Sequence, residues 1–297
     1  MYPMNSYYRE GIRYANSEAF AVHIGNPKNV TLYPISHKDA YLHLDIFLKE
    51  RFAKFGKYQD AIMQSENIMY HSNISAPLNI GLLDPLKVVE KTRAMKVPLE
   101  SYEGFIRQLI GWREYMHYLY VFHQKDLVSA NLPENDRVFR DKTWYNGTTG
   151  HTLIDNEIKK AIETGYAHHI VRLMIFMNFF ILCGLKPQGI YKWFMEVVSI
   201  DAYDWVMTPN IYAMGYFSPM AMSRPYLSTS SYIAKMSNYS KDGKWDVLWD
   251  SLFYLFISSK PKRYVGAYAR NLGYLKRNPG IVDMGKLYIK QNFIIKH

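Results

Sequence analysis

The chain has 297 residues, 48% hydrophobic and 21% charged, so it can bury a sizeable core and is not a disordered chain. Its formal net charge of +10 and pI of about 9.3 favour a polyanionic partner, nucleic acid ahead of a membrane surface. A single cysteine, Cys183, excludes an intrachain disulfide and a cysteine-rich metal site, and it fits a reducing intracellular setting.

Residues 1–35 are rich in tyrosine and broken by Pro3, Gly11, Pro27 and Pro34. They read as an irregular lead-in without the apolar core of a signal peptide, with one short strand expected near Val30–Tyr33. Residues 36–297 read as one helical domain. From Ser36, apolar residues at helical spacing (Tyr41, Leu42, Leu44, Ile46, Phe47, Phe52, Phe55) predict a helix that stops at Gly56. A polar loop, HSNISAPLNIG, precedes a helix capped by Asp84 with Pro85 in its first turn. A long helix is expected over Glu100–Tyr120, and a polar surface crossing over Gln124–Asn146.

The stretch Ala161–Leu185, AIETGYAHHIVRLMIFMNFFILCGL, reads as one helix that is apolar almost all round. Asn178 interrupts its apolar run short of the ~20 residues a bilayer requires, so it is a buried core helix and no segment spans a membrane. A helix over Pro187–Val198 follows, then an irregular run from Ile200 to Met236, and a short aromatic helix over Asp246–Ser258. The tail mixes lysine and arginine with tyrosine. The fold class is all-α, with no internal repeat.

Polar groups on a core helix must find partners. His168, His169, Arg172 and Asn178 therefore point to a polar ligand inside the protein. Adjacent histidines on a helix diverge by about 100°, and no third ligand stands at metal-site spacing; no metal site is expected. One reading makes the pair satisfied core histidines. The other has one histidine facing a cavity and handling a proton, with Arg172 meeting an anionic or polar ligand edge. Ser72, Asn73, Ser75 and Asn79 form a small-polar loop of the kind that offers backbone N–H groups to phosphates, and the run SRPYLSTSSYI, with Arg224, is similar.

Taken in order, FGKYQDAI, HSNISAPLNIGLLDP, EGFIRQLIGWREY, ETGYAHHIVRLM, KWFMEV, IDAYDWV, PNIYAMGYF and RPYLSTSSYI make the sequence similar to the cryptochrome/photolyase superfamily. Within it, the chain resembles the FAD-binding helical domain of prokaryotic-type (6-4) photolyases, from about Ser36 to Ile233 and more weakly to Phe256. The resemblance implies a photolyase/cryptochrome FAD-binding helical domain that repairs (6-4) photoproducts in UV-damaged DNA by light-driven electron transfer from reduced FAD. It implies His169, with His168 beside it, as the catalytic proton donor. It implies Ser72, Ser75, Asn79, Gln108, Trp112, Arg172, Asn178, Asp201 and Asn210 around the cofactor, and Trp193, Trp144 and Tyr145 as an electron relay. The implied setting is intracellular and DNA-associated.

The sequence also departs from that pattern. The family's N-terminal α/β antenna domain has no counterpart here: either it is encoded separately, which would make an antenna chain a partner, or it has been lost. The four cluster cysteines of related enzymes are replaced by Leu153, Ser240, Gly243 and a residue near Val247, so no iron–sulfur cluster is expected. Tyr145 stands at a relay tryptophan position, Phe194 at a common tyrosine and Met207 at an acidic position. These changes keep open two alternatives: a cryptochrome-like flavin photosensor, or a degenerate DNA-binding subunit of a split photolyase without repair activity.

Overall fold

The computed structural model describes residues 1–17, 24–26, 31–129, 135–218, 220–222, 225–259 and 266–295. Val30 and Arg224, both singled out from the sequence, lie outside these residues. Helices dominate, and the one described sheet is a two-stranded ribbon. Its strands β1 (Arg137–Phe139) and β2 (Phe293–Ile295) pair antiparallel, Val138 opposite Ile294. Neither was expected from the sequence, because three residues are too few to show alternation.

The lead-in is more regular than its composition implies. Asn5 accepts from the Tyr8 N–H and starts α1 (Ser6–Ala15). Only Tyr8 of that helix is buried, so the helix lies on the surface of the fold. The Tyr8 hydroxyl donates to the Tyr33 carbonyl at 2.6 Å, and the Tyr33 hydroxyl to the Thr164 carbonyl at 2.5 Å, which pins the segment to the helical body. Thr31 and Leu32 form a 3-10 turn instead of the expected strand.

Ser36 caps α2 (His37–Glu50), which breaks at Arg51 (φ −120°) before α3 (Phe52–Tyr58). Gly56 does not end a helix; it lies inside α3, where a Cβ would sit 2.4 Å from the backbone of Glu100. The glycine lets α3 press directly on α6 (Leu99–Ile106). Between them come the short α4 (Ser75–Asn79) and α5 (Pro85–Arg93), the latter capped by Asp84 as expected. The long helix runs past Tyr120: α6 continues through a π-wound turn, Arg107–Trp112, into α7 (Arg113–Ser129).

The stretch Ala161–Leu185 is not one helix. Helix α8 (Thr152–Thr164) ends at Gly165, whose φ of 65° is left-handed. Residues 166–168 are non-helical, and a second helix starts at 169, π-wound over Val171–Met177 and α-helical over Asn178–Leu182 (α9). Helix α10 (Pro187–Val197) follows. The run expected to be irregular holds α11 (Asp204–Met214) and α12 (Ser230–Met236). Pro209 inside α11 hid that helix from a sequence reading. Its first residue is anchored instead: Asp204 accepts from Tyr120 (2.9 Å), Gln124 (3.1 Å) and Tyr191 (3.0 Å), tying α7, α10 and α11 together. Helices α13 (Trp245–Ser259), α14 (Ala269–Arg277) and α15 (Asp283–Asn292) complete the body.

The buried residues form two cores. One gathers Phe47, Phe52, Phe55 and Phe105, with ring centroids 5.2–6.2 Å apart around Phe47. The larger surrounds the central helix and includes Phe176, Phe179, Phe180, Trp144, Trp193 and Trp249. No helix among the described residues is long and apolar enough to cross a membrane.

Candidate functional site

A cleft opens along the seam between the two cores. Phe55, Leu78 and Phe105 of the smaller core face Met116, Phe194 and Met214 of the larger one across it. Both π-wound turns border it, carrying Gln108 and Trp112 on one side and Arg172 on the other. Such turns widen a helix by one residue and recur at functional sites.

The polar side of the cleft is organised by Asp201, a buried carboxylate in the 3-10 turn Ser199–Asp201. Arg172 Nη2 donates to Asp201 Oδ2 in a close ion pair. Ser75 Oγ donates to Oδ2 at 3.1 Å and Asn79 Nδ2 to Oδ1 at 3.2 Å. Arg172 Nε also donates to the Ala167 carbonyl, and its guanidinium lies 5.8 Å from the Tyr166 ring centroid. Four residues drawn from three separate sequence motifs thus meet in one network. Such charge-assisted bonds hold their members rigidly and are costly to leave half-made.

The other predicted residues divide. Ser72, Gln108, Trp112 and Asn210 border the cleft, and Trp112 Nε1 donates to Asn210 Oδ1 at 3.0 Å. Asn178 does not border it. That side chain is fully buried, donating to Ser228 Oγ at 2.9 Å, with its Oδ1 unpaired among the described residues. Trp193 and Trp144 are fully buried behind Phe194, and Tyr145 is half-buried.

The two histidines have different surroundings. His169 is half-buried on the cleft wall, its ring 5.6 Å from Trp112 in an edge-on contact. Removal from bulk water, then the Arg172 cation and His71, pull its pKa down to about 4. His168 turns inward and stacks on His71, centroids 4.1 Å apart and 18° from parallel. Burial holds its pKa well below the usual histidine range, and neither ring nitrogen has a partner among the described residues. His168 is therefore a neutral member of a stacked pair bordering the cleft.

One wall residue went unnoticed in the sequence. His71 stands immediately before Ser72, and its pairing with His168 required the fold. Asn73 adopts a left-handed backbone (φ 54°), which asparagine tolerates better than most residues. Around the positions aligned with cluster cysteines, Leu153 is fully buried, while Ser240, Gly243 and Val247 are exposed. Between them Tyr239 donates to Glu157 at 2.7 Å and Trp245 donates to the Ser240 carbonyl at 2.9 Å. Among the described residues no group of three histidine, cysteine or acidic side chains is arranged to hold a metal ion.

The family described as FAD binding domain of DNA photolyase matches residues 105–249. A (6-4) photolyase of Agrobacterium fabrum is 39% identical over 220 residues, 72% of this chain and 43% of that protein. The chain thus spans less than half the length of that relative. In fold, it is similar to a bacterial class III photolyase from Agrobacterium tumefaciens (TM-score 0.51, 20% identity, 67% of this chain and 45% of the other). It is likewise similar to a Synechocystis cryptochrome (TM-score 0.56, 17% identity, 67% and 43%).

Proposed function

The chain belongs to the cryptochrome/photolyase superfamily, and from that membership we propose that its cleft holds FAD and carries out light-driven repair of (6-4) photoproducts in DNA, with His169 handling the proton. The observation that carries this reading is the convergence of Ser75, Asn79 and Arg172 on Asp201, with His169 on the same cleft wall. The wall fits such a cofactor: an apolar side for a flat ring system faces a polar side, and the His168 nitrogens beside it have no partner among the described residues.

Bound FAD supplies one-electron chemistry that no side chain here performs. The chain's residues position and shield. Asp201 fixes the Arg172 guanidinium, leaving its remaining donors for an anionic or carbonyl edge. Ser72, Asn73 and Asn79 offer amide and hydroxyl groups on the polar side, while Phe55, Phe105 and Met214 exclude water. A damaged base pair must leave the duplex to reach such a cleft, and the net charge of +10 suits the phosphates that accompany it. No iron–sulfur cluster enters this reading, because a four-cysteine site cannot be built from Cys183 alone. An antenna-bearing chain remains a proposed partner.

The test begins with the spectrum. The purified chain with added FAD should turn yellow, and a protein that takes up no flavin would sink the reading. Illuminated with a (6-4)-containing oligonucleotide and a reductant, His169→Ala should keep its flavin and lose repair by roughly 10²–10⁴-fold, the range for a positioned proton donor. Unchanged repair would remove His169 from the chemistry. A second reading, a cryptochrome-like photosensor, is favoured by the neutral state of His169. With a pKa near 4 the ring carries no transferable extra proton at neutral pH. Repair therefore requires DNA or cofactor anions to raise that pKa, and flavin photochemistry without repair at any pH would select the sensor.

A further inference from the structure

Behind the cleft, one tyrosine hydrogen-bonds to a carboxylate that can take its proton, whereas the neighbouring tryptophans face an amide carbonyl or, among the described residues, no partner. Phe194 borders the cleft, and the fully buried Trp193 meets its ring at 5.3 Å. The Trp193 indole N–H donates to the backbone carbonyl of Trp144 at 2.8 Å, which seats the next residue, Tyr145, alongside α10. The Tyr145 hydroxyl donates to Glu196 Oε2 at 2.7 Å. Glu196 lies three residues after Trp193 on the same helix, so the two share a face. Its side chain is 38% exposed, and Lys192 Nζ stands 3.9 Å from the other carboxylate oxygen.

On the reading of the cleft given above, we propose that Tyr145 and Glu196 form a proton-coupled terminal electron donor for a flavin held there. A phenol gives up an electron readily only when its proton leaves with it. The Tyr145 proton has a carboxylate to go to. The Trp193 N–H faces an amide carbonyl, which is too weak a base to take it. The Trp144 ring lies among Phe139, Phe180 and Phe293 at 5.0–5.7 Å, and its indole nitrogen has no partner among the described residues. Of the three relay residues, only Tyr145 can therefore end the transfer as a neutral radical.

A flavin held in the cleft would supply the light-driven one-electron oxidant, and Trp193 would be the residue that gives up the electron to it. The Tyr145 O–H bond then breaks: the electron restores the Trp193 indole, and the proton forms a new O–H bond on Glu196 Oε2. Because Glu196 is exposed, water can take that proton onward. In the resting protein, burial and the Glu196 carboxylate hold the Tyr145 phenol above the usual tyrosine range, which keeps the proton in place until the electron departs.

The experiment is flash excitation of the FAD-loaded chain without reductant, read by transient absorption and electron paramagnetic resonance. Expected is a tyrosyl radical whose formation slows in D2O. Tyr145→Phe should abolish it and leave a tryptophan radical that recombines quickly. Glu196→Gln should retain flavin and the tryptophan signal while slowing tyrosyl formation on the order of 10²-fold, the scale of a lost proton acceptor. Glu196→Asp should restore part of the rate, which a purely structural role would not produce. A tyrosyl signal unchanged in Glu196→Gln, or absent from the unaltered protein while the flavin is photoreduced, overturns the pair and leaves the cleft reading standing. A chain that binds no flavin overturns both.

Discussion

Asp201 is the residue on which the candidate site depends. Its carboxylate is almost fully buried and answers Arg172, Ser75 and Asn79 together. Removing it leaves the Arg172 charge without its partner in a water-poor seam, a loss of roughly 3–5 kcal/mol for a buried pair. Asp201→Ala should therefore lower chemical-denaturation stability by that order and reduce flavin uptake together. Stability lost with flavin content unchanged would make the network a fold element only. His151 gives a separate, flavin-independent test. It is fully buried, its Nδ1 caps the Ile154 N–H at 3.4 Å, and burial pulls its pKa down to about 3. In the unfolded chain the value returns to about 6.5. Between about pH 6.5 and 3 the unfolded state binds a proton that the folded state does not, so stability falls as pH falls through that window. The slope is about 1.4 kcal/mol per pH unit. His151→Asn keeps a capping group without the titration, and its stability profile should be flatter by that slope; an equal slope would show that His151 is not held neutral. Nothing in the sequence distinguished His151, whose neighbours Phe179 and Trp249 come from distant segments.

At the level of elements, two glycines show why local periodicity reached only part of the answer. Gly165 stands inside a stretch whose apolar pattern runs on without a gap, yet its left-handed backbone ends α8. That break frees residues 166–168 and lets the next helix begin at His169, facing the cleft. Alanine at this position would face a left-handed cost of about 1–2 kcal/mol, and its Cβ would stand 3.0 Å from Ser199 Oγ. Gly56 looked like a helix stop, whereas it is a contact point where any Cβ would collide with the backbone of α6. Gly56→Ala should cost at least about 1–3 kcal/mol, the range for overpacking. Thermal unfolding of both variants checks this, and a Gly56→Ala protein as stable as the original would contradict the close approach. Caps carried by neighbouring residues, such as Ser36 and Asp84, were legible because the interaction spans three residues or fewer. Helix α11 was not, because its Asp204 anchor comes from α7 and α10.

For the whole molecule, the cleft is a seam, and its walls come from both cores. The net charge of +10 belongs to the same scale. If DNA is the partner, its affinity should fall linearly with log salt, with a slope of about −0.9 per phosphate neutralised. A binding isotherm independent of salt would remove DNA as the partner. The sequence by itself determined that the chain is helical, that the segment around Met174 is buried, and which motifs resemble the flavin-binding family. These follow from composition, from apolar spacing and from the order of short motifs, all readable along the chain. Tertiary structure alone decided that His168 turns to His71 while His169 meets the cleft. It also placed Asn178 away from the cleft wall, gathered three motifs on Asp201, and set Glu196 against Tyr145. The reason is physical: a helix fixes the direction of a side chain relative to its neighbours within a few residues, but the partner of a buried polar group is set by which distant segment packs against it.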